Sequence, residues 1–541
     1  MLRIGIDFDN TMACYDRAFV SVAGLLGIDL LDNSSNKIEV KQEIQSRTKG
    51  DLVWQRLQGQ VYGKHMLLAI AFPGIHEFIF LARLRGHQVF IISHKSIYGH
   101  FDVDRIPLRS QAKIWLDEKK FLRSSQFGLK EENIFFESTR ADKIGRIKEL
   151  NCTHFIDDLV EIFDDNNFPP EVQKFLFDPA KSSGNKSNAI ISSSWRQIAD
   201  NILGPWSEHE VLQAVQDLSP KLRIYKAELM TGRANSQVYK LSSIDAQNYL
   251  LKIYPDRQSD SRPRLETEFA TCQILSQLSY PVGFAVTSDV NFGWGIYEWL
   301  DGAPISNSDK AFIQESLKFA CRLYVDSHRT EAFARFSNAS EACLSGIEIS
   351  DQIEKRVNKL LTVRDPVLSL YLNNDFIPTF NFVSKNAKKS RGYSFFEPLP
   401  RRYQMVSPSD FGSHNAFRQS SGAIVFYDFE YFGWDDPVKF VSDFYWHPGM
   451  NLNTGMRTLW RDGASAICYA DPDFSSRLIA YLPLFGLRWC LIILNEFLKS
   501  EISLGIDTQW EPKSSASEMC SYQLGKAKAL LQEIKEHLHH G

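Results

Sequence analysis

Residues 406–444 constrain this chain most: VSPSDFGSHNAF, a polar gap, then IVFYDFEYFGWDDPVKFVSDF. Asp410 stands five residues before Asn415, and Asp428 follows thirteen residues after Asn415. Asp428 comes at the end of the apolar run 424–427, which reads as a strand, so its carboxylate falls where a rigid strand gives way to an exposed loop. Phosphoryl transfer from ATP needs one carboxylate to accept the proton of the acceptor hydroxyl. It also needs an Asn and a second carboxylate to hold the magnesium ions that bridge the phosphates. Taken singly, SDFGSHN is a polar turn and DFEYFG a strand end. In this order and at this spacing the pair points to a kinase site.

These residues resemble the aminoglycoside phosphotransferase and choline kinase family, relatives of protein kinases, whose motif is HxDxxxxN followed by an Asp-containing strand. Pro408 stands where the family usually has His. In the family the metal-binding Asp is followed by a DP and a helix with a structural Asp; Asp436, Pro437 and Asp443 match that pattern. The resemblance implies a bilobal protein-kinase-like α+β domain over about 205–541, with an N-lobe to about 303. It also implies ATP as co-substrate, Asp410 as catalytic base, and Asn415 and Asp428 as Mg2+ ligands.

The preceding sequence has the order such an N-lobe requires. RIYKAELMTGRANSQVYKLSS reads as two strands joined by a turn containing Gly232, Asn235 and Ser236, whose backbone N–H groups would cover ATP phosphates. NYLLKIYP carries Lys252 between apolar neighbours, the position of a lysine that pairs the phosphates. The helix RLETEFATCQILSQL offers Glu268 as its partner, with Glu266 the alternative. GWGIYEWLDG, with Glu298, resembles the hinge strand that binds adenine. Residues 309–372 read as mainly helical, 384–391 (SKNAKKSR) as a basic loop, and the stretch after Asp443 as two or three closing helices.

The other end of the chain shows a different pattern. The strand 2–6 closes on Asp7-Phe8-Asp9-Asn10-Thr11. A carboxylate there is able to attack phosphorus as a nucleophile, and a second one two residues on is able to protonate the leaving oxygen. Carboxylates this close repel unless a cation sits between them, so Mg2+ is implied. A second strand, 89–92, is followed by Ser93, an amphipathic helix carries Lys143, and THFIDD places Asp157 and Asp158 after a short strand.

This series is similar to the haloacid dehalogenase superfamily of phosphatases over about residues 1–200. The resemblance implies a doubly wound, Rossmann-like parallel sheet. Asp7 would be the nucleophile and Asp9 the general acid/base. Thr11, Ser93 and Lys143 would bind phosphate, and Asp7, Asp9, Asp157 and Asp158 would form the metal site. Residues at about 15–70 read as a small helical cap, which would exclude water and favour a small phosphorylated metabolite. The divide between the two domains is expected near Gly204-Pro205, where Ser207 opens a new helix as its N-cap.

Composition narrows the alternatives. At 541 residues two or three domains are expected. A net charge of −4 argues against nonspecific nucleic-acid binding, which needs a basic surface. No segment has 18 uncharged apolar residues, so no membrane span is expected, and MLRIGIDFDNT reads as a strand rather than a signal peptide. Eight scattered Cys without a CxxC read as thiols of a reducing cytoplasm. The leading expectation is a bifunctional enzyme, a Mg2+-dependent phosphatase joined to an ATP-dependent kinase of a small-molecule hydroxyl such as that of a sugar or polyol, in a chain open to forming a homo-oligomer. The alternatives are a phosphatase regulated by a nucleotide-binding pseudokinase, suggested by Pro408 and the single-glycine turn, and a protein kinase or toxin with its own phosphatase.

Overall fold

The computed structural model describes the whole chain except residues 32–35, 100–103, 123–127, 182–187, 231–235, 256–259, 306–308, 451, 499–512 and 541. It is a mixed α/β structure of two compact units. The first comprises Met1–Arg262 with Val286–Tyr297, the second Pro263–Ala285 with Glu298–Gly541.

Six strands form the central sheet of the first unit: β1 (Arg3–Ile6), β2 (Gln88–His94), β3 (Ile134–Glu137), β4 (His154–Asp157), β5 (Gln173–Phe177) and β6 (Ile190–Ser192). Their order is β3-β2-β1-β4-β5-β6, and every pairing is parallel. Strands covered on both faces read as unbroken apolar runs, and Ile4, Ile6, Val89, Ile91 and Ile92 are all fully buried. The chain builds outward from β1 on one side and then on the other. The loops after β1 and β4 therefore diverge, and a crevice opens at the carboxyl ends of these two strands. Asp7 follows β1 and Asp157 ends β4, so both stand at that crevice. The helices Asp16–Leu25, Lys37–Gln45 and Gly50–Tyr62 occupy the segment read from sequence as a cap.

A second sheet belongs to the same unit. Its strands Ile224–Leu229, Gln237–Ser243 and Asn248–Ile253 pair antiparallel, and Trp294–Glu298 and Ala285–Asp289 extend it. The first unit therefore runs on past Gly204-Pro205, where the sequence changes character. Packing is the reason. Phe80, on the helix Ile75–Leu84, joins the core made by Val211, Leu241, Leu251 and Trp294. It stacks on Trp206 at 6.1 Å and meets Phe292 edge-on at 5.5 Å. Beside it Arg85 forks onto Glu210 at 2.6 and 3.0 Å, and this pairing holds the Glu210 carboxyl down to about 2.

The second unit is mainly helical. Two short ladders, Met405–Ser407 with Gly433–Asp435 and Ala416–Arg418 with Ile424–Phe426, carry its polar residues. The expected basic loop at 384–391 is instead the end of the helix Ile377–Arg391. Phe380, Val383 and Ala387 are buried at helical spacing, and Lys388, Lys389 and Arg391 fall in the last turn, where the helix dipole favours cations. Charge density concealed that period in the sequence.

The helix Phe474–Ile493, extended to Leu498, is long and apolar enough to cross a membrane by composition, yet 72% of its apolar window is buried inside the unit. Its two buried arginines are paired. Arg477 meets Asp436 at 2.9 Å and Asp471 at 2.6 Å, and Arg488 meets Asp443 at 2.9 Å. Asp443 also receives Lys439 at 3.1 Å and the Trp489 indole N–H at 3.0 Å. Asp436 caps its own helix, Pro437–Trp446, by accepting from the Val438 N–H. Removing one partner of such a group strands a buried charge. Arg488→Met is therefore expected to cost about 3–5 kcal/mol, read as a lowered melting temperature of this unit.

Candidate active sites

The first site is assembled from the loops after β1 and β4 and the helix Arg140–Glu149. Thr139 caps that helix, accepting from the Asp142 N–H. The cap fixes the first turn, and Lys143 reaches from it into the crevice, where it is 1% exposed. Its ammonium lies 2.6 Å from Asp7 Oδ1 and 2.6 Å from Asp157 Oδ2. Burial lowers the tendency of this amine to hold its proton, but the two carboxylates outweigh that and raise it. Asp157 Oδ1 accepts from the Leu159 N–H at 3.0 Å, and Asp158 Oδ1 accepts from the Thr11 hydroxyl at 3.3 Å. Ser93 is buried at the end of β2, two residues beyond Ile91, the partner of Ile6.

One carboxylate oxygen from each of Asp7, Asp157 and Asp158 lies within 4.8 Å of the others. An all-oxygen donor set at a partly open crevice suits a hard cation such as Mg2+. The electrostatics agree with this fit. Burial, and then Asp157, push the Asp7 carboxyl up to about 7, and burial with the same neighbours raises Asp158. Folded Asp7 thus keeps a proton between about pH 4 and 7 that the unfolded chain has released. Its ionisation subtracts stability as pH rises through that window. In chelator the melting temperature of the first unit is expected to fall from pH 5 to pH 8, with Asp7→Asn flattening the fall. Millimolar Mg2+ at pH 8 is expected to restore the wild type and not the variant.

Asp9, also expected among the metal ligands, is not part of that group. Its two oxygens each lie 2.8 Å from the ammonium of Lys95, and the Tyr15 hydroxyl donates to one of them. Lys37, from the segment read as a cap, reaches Asn10 Oδ1 at 2.9 Å, and both lysines lie over the ring of Tyr62. No motif spacing marked Lys95, Lys37, Tyr15 or Tyr62. A lysine two residues past Ser93 in ISHKS was the one available signal, and only the approach of the helical segment gives it meaning.

The second site lies in the second unit. The ladder Ala416–Arg418 with Ile424–Phe426 sets Asn415 opposite Tyr427, whose N–H bonds the Asn415 carbonyl at 3.0 Å. Asn415 is thereby held one residue from Asp428. Its side-chain N–H donates to the Asp410 carbonyl at 3.0 Å, tying the two ends of the motif together. Asp428 has φ +69°, a left-handed conformation that costs a non-glycine residue energy and is found at sites whose surroundings enforce it. It groups with Glu268 and Glu430, one oxygen of each within 4.8 Å of the others. Glu430 also pairs with Arg264 at 2.8 Å. Three carboxylates, again oxygen only, suit Mg2+. Glu430 was legible only as the third residue of DFE.

The Asp410 carboxylate is 37% exposed on its side chain and accepts from His414 Nε2 at 2.9 Å. Burial pushes it up, but the bonds and charge of its His and Asn neighbours win and hold it below the ordinary range. The other expected ATP-contacting residues are placed as follows. Lys252 is 8% exposed on the strand Asn248–Ile253, 5.0 Å over the Tyr254 ring, and belongs to the first unit. Ser236 precedes the strand Gln237–Ser243; its hydroxyl is buried with no hydrogen-bond partner among the described residues. Gly232 and Asn235 lie outside the described residues. Glu298 ends its strand with its carboxylate accepting from the Phe284 N–H at 3.3 Å.

No family model matches the chain, and no curated protein does. Among solved structures it is similar to the choline kinase of Streptococcus pneumoniae (13% identity, TM-score 0.40, 60% of this chain and 99% of that one). It is also similar to the ethanolamine kinase of Plasmodium vivax (13%, TM-score 0.42, 62% and 93%). A third is a macrolide 2'-phosphotransferase of Brachybacterium faecium (10%, TM-score 0.37, 58% and 98%). These are distant likenesses of backbone.

Proposed function

We propose that this chain is a bifunctional phosphoryl-handling enzyme. Its first site hydrolyses a small phosphomonoester, and its second transfers the γ-phosphoryl group of ATP to a small-molecule hydroxyl. The observation that carries the reading occurs twice: three carboxylates from segments distant in sequence converge at a strand end. Asp7 joins Asp157 and Asp158 in one site, and Asp428 joins Glu268 and Glu430 in the other.

At the first site Lys143 holds Asp7 Oδ1, which leaves Oδ2 to attack phosphorus. The bond from phosphorus to the ester oxygen breaks, Asp9 passes a proton to that oxygen, and an aspartyl-phosphate forms. Water, deprotonated by Asp9, then releases inorganic phosphate and restores Asp7. Lys143, Thr11 and Ser93 are the proposed phosphate-binding residues. At the second site Asp410 takes the proton of the acceptor hydroxyl as that oxygen bonds the γ-phosphorus and ADP leaves. Asn415 and Asp428 are the proposed metal ligands, with Glu268 and Glu430 beside Asp428. Bound Mg2+ at either site would neutralise phosphoryl charge. Lys252 is the proposed phosphate-pairing lysine of the kinase reading. A reducing cytoplasm suits the eight scattered cysteines.

The test is a panel assay on the full chain with Mg2+. Choline, ethanolamine, aminoglycosides, sugars and polyols are supplied with ATP, and their phosphomonoesters without it, while ADP and inorganic phosphate are followed. The expected result is ADP release dependent on at least one hydroxyl compound and phosphate release from at least one ester. No ADP release above background with any acceptor overturns the kinase half, and no phosphate release from any ester overturns the phosphatase half.

A further inference from the structure

The second site holds two histidines that the proposed chemistry has not used. His414 and His447 stack with their rings 4.2 Å apart and 6° from parallel, and both turn Nε2 toward Asp410 Oδ1, at 2.9 and 3.9 Å. Two imidazoles and a carboxylate so close have the composition of a transition-metal site. The stack argues against one. A ring nitrogen offers its lone pair in the plane of its own ring, and two parallel planes this far apart do not meet at a single ion.

Hydrogen bonding gives the group another task. The Gly449 N–H donates to His447 Nδ1 at 3.0 Å, so the proton of that ring sits on Nε2, facing Asp410. His414 Nε2 lies within hydrogen-bond distance of the carboxylate, so it too carries the proton and donates. Its Nδ1 is buried with no hydrogen-bond partner among the described residues, which leaves the Asp410 bond as the polar anchor of the ring among them. The backbone beneath is fixed, because the Tyr427 hydroxyl donates to the His414 carbonyl at 2.7 Å. Trp489 packs edge-on against the far side of the stack, 4.5 Å from His447. The backbone of Asp410 is held separately through Asn415. The Oδ1 oxygen of the carboxylate is thus tied down by a braced donor.

We propose that His414 is a positioning residue for phosphoryl transfer: its Nε2–H holds Asp410 Oδ1 so that Oδ2 faces the acceptor hydroxyl, with His447 and Trp489 bracing the ring. The inference rests on the kinase reading above. It also explains how the motif tolerates Pro408, which has no side-chain donor and stands two residues before Asp410. Here the orienting donor comes from His414, four residues after the base. A misplaced general base costs on the order of 10–100-fold in rate while substrate binding is kept.

Three substitutions separate positioning from mere packing. Gln places its amide nitrogen near where His places Nε2, Asn stops short of it, and Leu fills space without a donor. With Mg2+ and ATP, and whichever panel hydroxyl gives the fastest ADP release, H414N and H414L are expected to lower kcat about 10–100-fold with KM for ATP within about twofold. H414Q is expected to recover to within about threefold of wild type. If H414Q and H414L fall equally, or neither changes kcat, the inference is overturned while the kinase reading stands. If the wild type releases no ADP with any acceptor, the kinase reading is overturned and the inference with it. A second measurement is independent of turnover. Long-range 1H–15N spectra of the full chain are expected to show His414 locked with its proton on Nε2, and mixed tautomers in Asp410→Ala. A His414 proton on Nδ1 in the wild type overturns the inference.

Discussion

Asp7→Asn is expected to abolish phosphate release from every ester the wild type hydrolyses, by at least about a thousandfold, because a carboxamide does not replace the carboxylate as a nucleophile toward phosphorus. ADP release at the other site is expected to stay within about twofold of wild type. Lys143→Met makes the companion case. It leaves the nucleophile but removes the cation that orients Asp7 Oδ1 and Asp157 Oδ2. Phosphatase activity is expected to fall by about 100-fold or more, the scale seen when one preorganised donor is taken from an enzyme's transition-state site. The measurement is initial-rate phosphate release, with circular dichroism to show that the fold is kept. Asp7→Asn hydrolysing esters at near wild-type rate would remove the phosphatase reading.

Asp410→Asn is expected to lower acceptor-dependent ADP release about 100- to 10,000-fold, since the amide accepts no proton from the hydroxyl. Phosphate release at the first site is expected to be unchanged. Asp428→Asn is expected to act differently from Asp410→Asn. Loss of a proposed metal ligand should raise the Mg2+ concentration needed for half-maximal rate, and excess Mg2+ should recover part of the activity. The pair of results also tests the regulatory alternative. A nucleotide-binding domain without chemistry would show no acceptor-dependent ADP release for Asp410→Asn to remove.

Several parts of this arrangement were legible in the chain. The parallel strands were, because a strand covered on both faces must be apolar without interruption, and RIGI and QVFIIS have no other reading. The acidic positions that close such strands were legible for the same reason: Asp7, Asp157 and Asp428 each mark the point where an apolar run stops. The helix Ile377–Arg391 was not. Its buried residues are three among many lysines and asparagines, and composition pointed to a loop where burial of Phe380, Val383 and Ala387 makes a helix. Lys95, His414, His447 and Glu430 were not legible as site residues either, for each acts through a partner whose distance the sequence does not state.

By itself the sequence determined which side chains bring charge to the carboxyl ends of buried strands, since apolar runs and their acidic terminations are local properties. Tertiary structure alone decided what those charges meet. Lys143 joins Asp7 from 136 residues away. Glu268 lies 160 residues before Asp428, yet the two share one group. The helix before β2 recruits the second sheet into the first unit through Phe80 and, at its C-terminal end, Arg85. The physical reason is that a carboxylate's chemistry is set by the cations, donors and burial around it, and those are supplied by whichever segments the cores bring together.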